Sequence, residues 1–234
     1  MYKRVLLKIS GEQLAGKFDS GIDPERAAWL AREVNQAAVN GTQVVIMVGG
    51  GNFVRGAQVA GAGIKRVTGD HMGMLSTLIN ALALTDIFEA QNVPTRCLSN
   101  IFAQQVAEPF VHRLAEKHLQ NGRVVIVAGG IGRPYLTTDT AAVSLALELD
   151  CDVVLKTTKV DGIYDKDPAE HQDAKRYDTL SYQEAVENEE IKVMDKAALG
   201  LAMEQSMPVI VLSVEADGSL LKATSGEQIG TKVS

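Results

Sequence analysis

Residues 44–52 read Val44-Val45-Ile46-Met47-Val48-Gly49-Gly50-Gly51-Asn52. An uninterrupted apolar run rich in β-branched residues predicts a strand that is buried on both faces of a sheet. The three glycines that follow end the strand abruptly, expose backbone N–H groups and allow a ligand to approach the main chain closely. This stretch therefore predicts a buried strand that leads directly into an anion site.

The same pattern recurs along the chain, with helical patterns in between. Strands without polar alternation, separated by helices, indicate a mostly parallel, twisted sheet covered on both faces, which is a three-layer α/β/α sandwich. Asp23-Pro24-Glu25 predicts a helix start, because Asp can cap the helix and Pro suits its first position. The other runs of the strand-and-turn pattern are Val5 to Ile9 before Ser10-Gly11, Val124 to Ala128 before Gly129-Gly130, and Val153 to Lys156 before Thr157-Thr158.

Further helices are predicted in the middle of the chain. One runs from Pro109 to Gln120, and a long one begins at Asp70. The long helix carries an apolar face at helical spacing. Its members are Met74, Leu75, Leu78, Ile79 and Leu82.

The length and composition of the chain limit the classes of protein to which it can belong. The 234 residues suit a single domain, and a soft boundary near residue 150 divides it into an acceptor lobe (1–150) and a nucleotide lobe (151–234). The net charge of −6, without long blocks of one sign, argues against a general nucleic-acid binder. No apolar run approaches the length of a membrane span and no leader is recognisable, so we expect a cytoplasmic protein. The two cysteines, Cys97 and Cys151, belong to no ligand cluster and are expected to be buried thiols.

Two lysines stand at the ends of predicted strands. Lys8 precedes Ser10-Gly11, and Lys156 ends the run that begins at Val153. In parallel sheets ligands bind outside the carboxyl ends of the strands, so both ammonium groups could flank one γ-phosphoryl group. A lysine that simply extends to the surface is the alternative for Lys8. The common P-loop pattern is absent from the chain.

Several polar residues in the turns have two interpretations each. Arg55, before Gly56, could form a bidentate phosphate contact. Asp70 is either a helix N-cap or a carboxylate for ribose hydroxyls. Asp139 is either a cap or the group that orients the lysines. Tyr164 could contact adenine, although Val160 to Tyr164 is also typical of an ordinary turn.

Taken together, these segments resemble the amino acid kinase family, from Lys3 to about Val211. Within that family the resemblance is to the branch that transfers a phosphoryl group from ATP to UMP in pyrimidine nucleotide synthesis. Two of the motifs, Lys8-Ile9-Ser10-Gly11 and Gly49 to Asn52, are shared broadly across the family. The more diagnostic motifs are Arg66 to Met74, Pro134 to Asp139, Lys156 to Gly162, and Lys192-Val193-Met194-Asp195.

The resemblance implies roles for individual positions. Lys8 and Lys156 would stabilise the transferring phosphoryl group, and Asp139 would organise them. Contacts to ATP are implied for Lys8, Ile9, Ser10, Gly11, Gly51, Arg55, Thr158, Tyr164 and Asp167. Contacts to UMP are implied for Gly50, Asp70, Ile131, Gly132, Arg133, Pro134, Tyr135, Leu136, Thr137 and Thr138.

It also implies partners and regulation. Mg²⁺ would accompany ATP, held mainly by phosphates and water rather than by protein ligands. The resemblance implies a homohexamer that is activated by GTP and inhibited by UTP. Residues 16–21 occupy the position of a loop tied to GTP activation, but the middle of this segment departs from the family pattern. Two other functions remain open from the residues alone: a small-molecule kinase of the same fold with another acceptor, and a nucleotide-binding regulator without catalysis.

Overall fold

The computed structural model describes residues 1–55, 59, 63–188, 191 and 194–234. The sequence predictions that involve Gly56, Lys192 and Val193 lie outside these residues. The strands are β1 (Arg4–Ile9), β2 (Gln43–Val48), β3 (Thr95–Ser99), β4 (Glu108–Pro109), β5 (Val124–Ala128), β6 (Val153–Thr157), β7 (Thr179–Leu180), β8 (Val209–Leu212) and β9 (Thr231–Val233).

The described strands form one sheet in the order β4-β3-β5-β2-β1-β6-β8-β9-β7. All neighbouring strands pair in parallel except β8 and β9, so β9 and its neighbour β7 run against the rest. The predicted, mostly parallel sheet is therefore confirmed. β1 lies at its centre, with β2 on one side and β6 on the other. The carboxyl ends of these three strands share one edge, where a ligand site is expected.

Helices cover both faces of the sheet. α4 to α7 pack on one face and α1, α2, α3 and α8 on the other, which confirms the three-layer α/β/α architecture. The helices are α1 (Gly11–Ala15), α2 (Pro24–Val39), α3 (Arg66–Ala90), α4 (His112–Gln120), α5 (Thr138–Glu148), α6 (Tyr182–Glu187), α7 (Lys196–Gln205) and α8 (Ser219–Ser225).

Side chains of the central strand alternate between the two cores. Val5, Leu7 and Ile9 pack against α1, α2, α3 and α8, whereas Leu6 points to the opposite face. Since successive side chains of a strand point to opposite faces, Lys8 lies on the Leu6 side, beneath α5. The fully apolar appearance of β1 follows from this double burial.

Some helix starts agree with the sequence and others do not. α2 begins at Pro24, and the Asp23 carboxylate accepts the Glu25 N–H at 3.0 Å, as predicted. α3 begins at Arg66 rather than at Asp70, so the N-cap interpretation of Asp70 is wrong. α4 begins at His112 and not at Pro109, because Glu108–Pro109 pairs with β3 as a short edge strand.

The apolar face predicted for α3 is only partly buried. Met74 and Leu78 lie in the core, but Leu75 and Ile79 are 53% and 49% exposed. By length and composition α3 could cross a membrane, although 44% of its most apolar stretch is buried inside the fold. A single such helix is weak evidence, because the core helices of soluble proteins have the same character.

The inner face of α3 contributes strongly to the stability of the fold. Phe88 is fully buried between α3 and the sheet. We expect Phe88→Ala to lower the free energy of unfolding by about 3–5 kcal/mol, because it removes an aromatic side chain and leaves a cavity. Val39→Ala, at a position that is 77% exposed, should change it by less than about 0.5 kcal/mol. Urea denaturation of both variants tests this, and a cost below about 1 kcal/mol for Phe88→Ala would contradict it.

Candidate active site

A cavity of about 430 Å³ opens at the carboxyl ends of β1, β2 and β5. The structure brings most of the predicted site residues to its wall. Those that line it are Lys8, Ser10, Gly11, Gly50, Gly51, Arg55, Asp70, Ile131, Arg133, Leu136, Thr137 and Thr138. Three separate turns, which begin at residues 10, 49 and 129, therefore form one cavity.

A buried charged cluster lies at the end of β1. The Lys8 Nζ is 2.6 Å from Asp139 Oδ1, and the Lys156 Nζ is 2.7 Å from Asp139 Oδ2. The three side chains are only 10–14% exposed. Two ammonium groups and one carboxylate leave a net positive charge, and an anion would balance it. The alternative that Lys8 merely extends to the surface is therefore wrong.

The geometry of this cluster follows from strand register. Lys8 of β1 pairs directly with Lys156 of β6, so both ammonium groups stand at the same level on the same face of the sheet. α5 begins above them, with Thr137 as its N-cap and Asp139 at the second helical position. The Thr137 hydroxyl accepts the Asp139 N–H at 3.0 Å. Asp139 is thus not the cap, but its carboxylate still lies at the positive end of the helix.

Burial and charge act in opposite directions on the cluster. Burial disfavours the ionised form of Asp139, but the charges of Lys8 and Lys156 outweigh this effect and lower the pKa of the carboxyl. Burial lowers the pKa of Lys156, and the attraction of Asp139 only partly offsets it. Asp139 therefore remains a carboxylate that can hold both lysines near neutral pH.

The glycine turns pack too closely for side chains. A Cβ atom on Gly50 would lie 2.6 Å from the Gly73 carbonyl oxygen of α3. A Cβ on Gly11, the first residue of α1, would lie 2.4 Å from Asn52 Oδ1. Both contacts are far inside van der Waals distance, so only glycine allows α1, the 49–51 turn and α3 to meet here.

Asp70 lies within α3 and faces the turn that precedes α5. Its carboxylate accepts the Arg66 Nε–H at 2.8 Å and the Tyr135 backbone N–H at 2.9 Å. Partial burial opposes the charge, but these two contacts outweigh it and lower the pKa of Asp70. Tyr135 has a φ of 68°, which is strained for a residue with a side chain. Asp70 therefore holds a strained turn at the rim of the cavity.

Arg55 stands at the opposite rim. Its guanidinium forms an ion pair with Glu12 of α1, and both residues line the cavity. The pair joins the turn after β2 to the helix after β1. An incoming phosphate would compete with Glu12 for this guanidinium.

Other predicted residues lie outside this cavity. Among the described residues, Thr158, Tyr164 and Asp167 do not line it, and neither do Ile9, Gly132, Pro134 and Tyr135. Of the predicted catalytic residues only Lys8 lines it, while Asp139 and Lys156 lie behind Lys8 in the charged cluster. The Tyr164 hydroxyl donates to Asp161, which raises the pKa of Tyr164 and lowers that of Asp161. Asp161 also pairs with Arg176 at 2.7 Å, and both line a second cavity of about 340 Å³ beyond the end of β8.

The structure gives contacts at the site to polar residues for which the sequence had predicted no role. Thr77 and Asn80 of α3 form hydrogen bonds with the turns of the site, and the Arg66 guanidinium lies over the Tyr135 ring. Asp195 accepts hydrogen bonds from the hydroxyls of Thr137 and Thr140. The available signal was a polar stripe in an otherwise apolar helix, which a search for apolar periodicity passes over.

The cysteines take no part in the site. Cys97 and Cys151 are both free and buried, as predicted. Burial raises the pKa of the Cys97 thiol to about 11 and that of Cys151 to about 12. Both thiols are therefore protonated at neutral pH and serve as small core residues.

Comparison with known proteins identifies the family of this chain. Residues 3–213 match the model of the amino acid kinase family. The uridylate kinases of Xanthomonas oryzae pv. oryzae and Xanthomonas euvesicatoria pv. vesicatoria are each 48% identical over 232 residues, which cover 99% of this chain and 96% of theirs.

Solved structures show the same relationship. The UMP kinase from Bacillus anthracis has a TM-score of 0.94 at 37% identity, covering 99% of this chain and 96% of its own. The UMP kinase from Ureaplasma parvum has a TM-score of 0.92 at 30% identity, and the match covers 100% of this chain and 99% of its own. Because the family model covers residues 3–213 and relatives match the chain over nearly its whole length in sequence and in fold, the chain belongs to the amino acid kinase family.

Proposed function

We propose that this protein transfers the γ-phosphoryl group of ATP to UMP, giving ADP and UDP, as a step of pyrimidine nucleotide synthesis. The observation that carries the proposal is the Lys8–Asp139–Lys156 cluster beside a cavity formed by three glycine-rich turns. Full-length relatives with the name uridylate kinase support the choice of acceptor.

The lysines supply most of the chemistry in this mechanism. Phosphoryl transfer passes through a transition state in which negative charge spreads over the equatorial phosphate oxygens. Lys8 and Lys156 are already fixed by Asp139, so they can stabilise that charge without reorganising. Asp139 accepts no proton in this scheme, and its role is to hold the two cations side by side.

The acceptor side is formed by α3 and the 131–138 turn. Gly50 would allow the UMP phosphate to approach the main chain. The residues of the 131–138 turn that line the cavity would face the nucleoside, and these are Ile131, Arg133, Leu136, Thr137 and Thr138. Each carboxylate oxygen of Asp70 can accept more than one hydrogen bond, so it can hold Arg66 and Tyr135 and still accept ribose hydroxyls.

The donor side lies across the end of β6. Ser10 and Gly11 at the start of α1 and Gly51 present backbone to the ATP phosphates, with Arg55 at the rim. β6 separates β1 from β8 in the sheet, so ATP would cross Lys156 and Thr158 to reach the second cavity. Tyr164, whose hydroxyl donates to Asp161 of that cavity, and Asp167, three residues further along the chain, are proposed to contact the adenosine. The chain would then divide near residue 150 into a UMP lobe and an ATP lobe.

Mg²⁺ is proposed to accompany ATP. The donor set fits an ion that is held mainly by phosphates and water, because both oxygens of Asp139 face lysines. When bound, the ion would neutralise part of the negative charge of the ATP phosphates.

The state of the protein in the cell is also a proposal. We propose a cytoplasmic homohexamer that is activated by GTP and inhibited by UTP, without membrane or general nucleic-acid binding. The exposed apolar side chains of α3, Leu75 and Ile79, support self-association. Phe102, which is 93% exposed after β3, supports it further.

Acceptor choice tests the function directly. Purified protein with ATP and Mg²⁺ should release ADP with UMP, at a kcat/KM at least about tenfold above that with CMP, AMP, GMP, carbamate or glutamate. We expect this difference in kcat/KM because the proposed acceptor site binds the ribose and base of UMP specifically. Turnover with another acceptor but not with UMP would contradict the substrate. Nucleotide binding without any ADP release would indicate a regulator instead.

Lys156 tests the mechanism. We expect Lys156→Ala to lower kcat by about 10³-fold, because one of the two fixed cations at the transition state is lost. Asp139 keeps Lys8 as its partner, so the variant should fold normally. Arg96→Ala, which removes a surface ion pair with Glu89, is the control and should keep full activity. A change below about tenfold, or about 1.4 kcal/mol, would remove Lys156 from catalysis.

Surface substitutions test the assembly. Ile79→Glu should shift the protein to smaller species in size-exclusion chromatography with light scattering, because a charge enters an apolar contact. Val39→Glu, at a position that is 77% exposed on α2, should leave the assembly unchanged. If both variants elute as the wild type does, this face of α3 is not a subunit contact.

A further inference from the structure

α3 carries a buried polar stripe that faces the glycine turns. Ser76 and Thr77 are each 3% exposed and Asn80 is fully buried. With Gly73, these residues follow the spacing i, i+3, i+4 and i+7, so they lie on one face of the helix. Buried polar groups in an apolar helix need specific partners. The Ser76 hydroxyl donates to the Met72 carbonyl of α3 itself, whereas Thr77 and Asn80 find partners in the turns of the site.

The stripe contacts two turns that come from different strands. The Thr77 hydroxyl accepts the Gly129 N–H at 2.7 Å and donates to the Met74 carbonyl. Asn80 donates from Nδ2 to the Gly49 carbonyl at 2.7 Å. One helix face therefore sets the position of the turn after β2 and of the turn after β5.

Asn80 is also half of a reciprocal amide pair. Its Nδ2 donates to Asn52 Oδ1 at 2.7 Å, and the Asn52 Nδ2 donates to Asn80 Oδ1 at 2.9 Å. The second N–H of Asn52 donates to the Gly21 carbonyl at 2.6 Å. Both amide groups use both of their N–H donors, so the network is complete and has one arrangement.

We propose that Asn80 is a positioning residue for phosphoryl transfer, which acts by fixing the Gly49–Gly51 turn. In a trans peptide the C=O and N–H point in opposite directions, so a Gly49 carbonyl held on Asn80 sets the direction of the Gly50 N–H. The inference rests on the proposed binding of UMP at Gly50 and of ATP at Gly51. Loss of the Asn80 contact then misplaces the main chain that both nucleotides share.

A measurement of KM distinguishes a positioning role of Asn80 from a contribution to the stability of the fold alone. Loss of folded protein lowers the apparent kcat and leaves KM unchanged, whereas a misplaced turn raises KM for both substrates. Asn80→Leu keeps the size of the side chain and removes every hydrogen bond. We expect it to raise KM for both ATP and UMP by about tenfold, with a lower kcat.

Thr95→Val is the matched control. Thr95 is fully buried, and its hydroxyl donates to the Val93 carbonyl at the opposite end of β3 from the site. The substitution Thr95→Val should lower the melting temperature but leave the KM values for ATP and UMP within about twofold of wild type. If Asn80→Leu does not fold, Asn80→Ser is measured against the same criterion.

The outcomes are distinct. A folded Asn80 variant with both KM values within about twofold of wild type overturns the proposal. A rise in both KM values in Thr95→Val as large as that in the Asn80 variant overturns it as well. Wild-type protein that fails to phosphorylate UMP would instead contradict the proposed function, and the two failures are separated by the wild-type assay.

Discussion

Asp139 holds one ammonium group on each of its carboxylate oxygens, and the arrangement around the site depends on this contact. Two lysines this close would repel each other strongly at low dielectric, so the carboxylate is needed to keep them together in a buried place. The position of this carboxylate depends on α5, whose first turn brings Asp139 over the ends of β1 and β6. The cluster keeps a net positive charge, which suits the γ-phosphate of a nucleotide but not a neutral ligand.

The glycine turns serve a complementary purpose. They remove side chains where α1, α3 and the strand ends converge, so that backbone amides line the cavity. Such turns are conformationally free on their own, and glycine makes them more so. α3 restrains them through Thr77 and Asn80, while Asp70 restrains the strained turn at Tyr135. The cavity therefore combines an adaptable backbone with a rigid frame.

The features that the sequence failed to predict all depend on contacts between parts of the chain that are distant in sequence. The long apolar strands and α2 were predictable because burial on both faces and a capping aspartate are local patterns. The short strands β4, β7 and β9 have two or three residues each and exist only because a neighbour pairs with them. The exposure of Leu75 and Ile79 could not be predicted either, since helical spacing does not say which face another layer covers.

The amino-acid sequence alone was enough to predict lysines near the ends of two strands of a parallel sheet, glycines after other strands, and Asp139 near the start of a helix. These are local properties of composition and spacing, and the family resemblance added the expected acceptor. Only the tertiary structure decided that Lys8 and Lys156 stand directly opposite each other and that Asp139 lies between them. Strand register is the physical reason, because a slip of one residue would turn one lysine to the other face of the sheet. Register is set by pairing across 148 residues of chain, which no local pattern encodes.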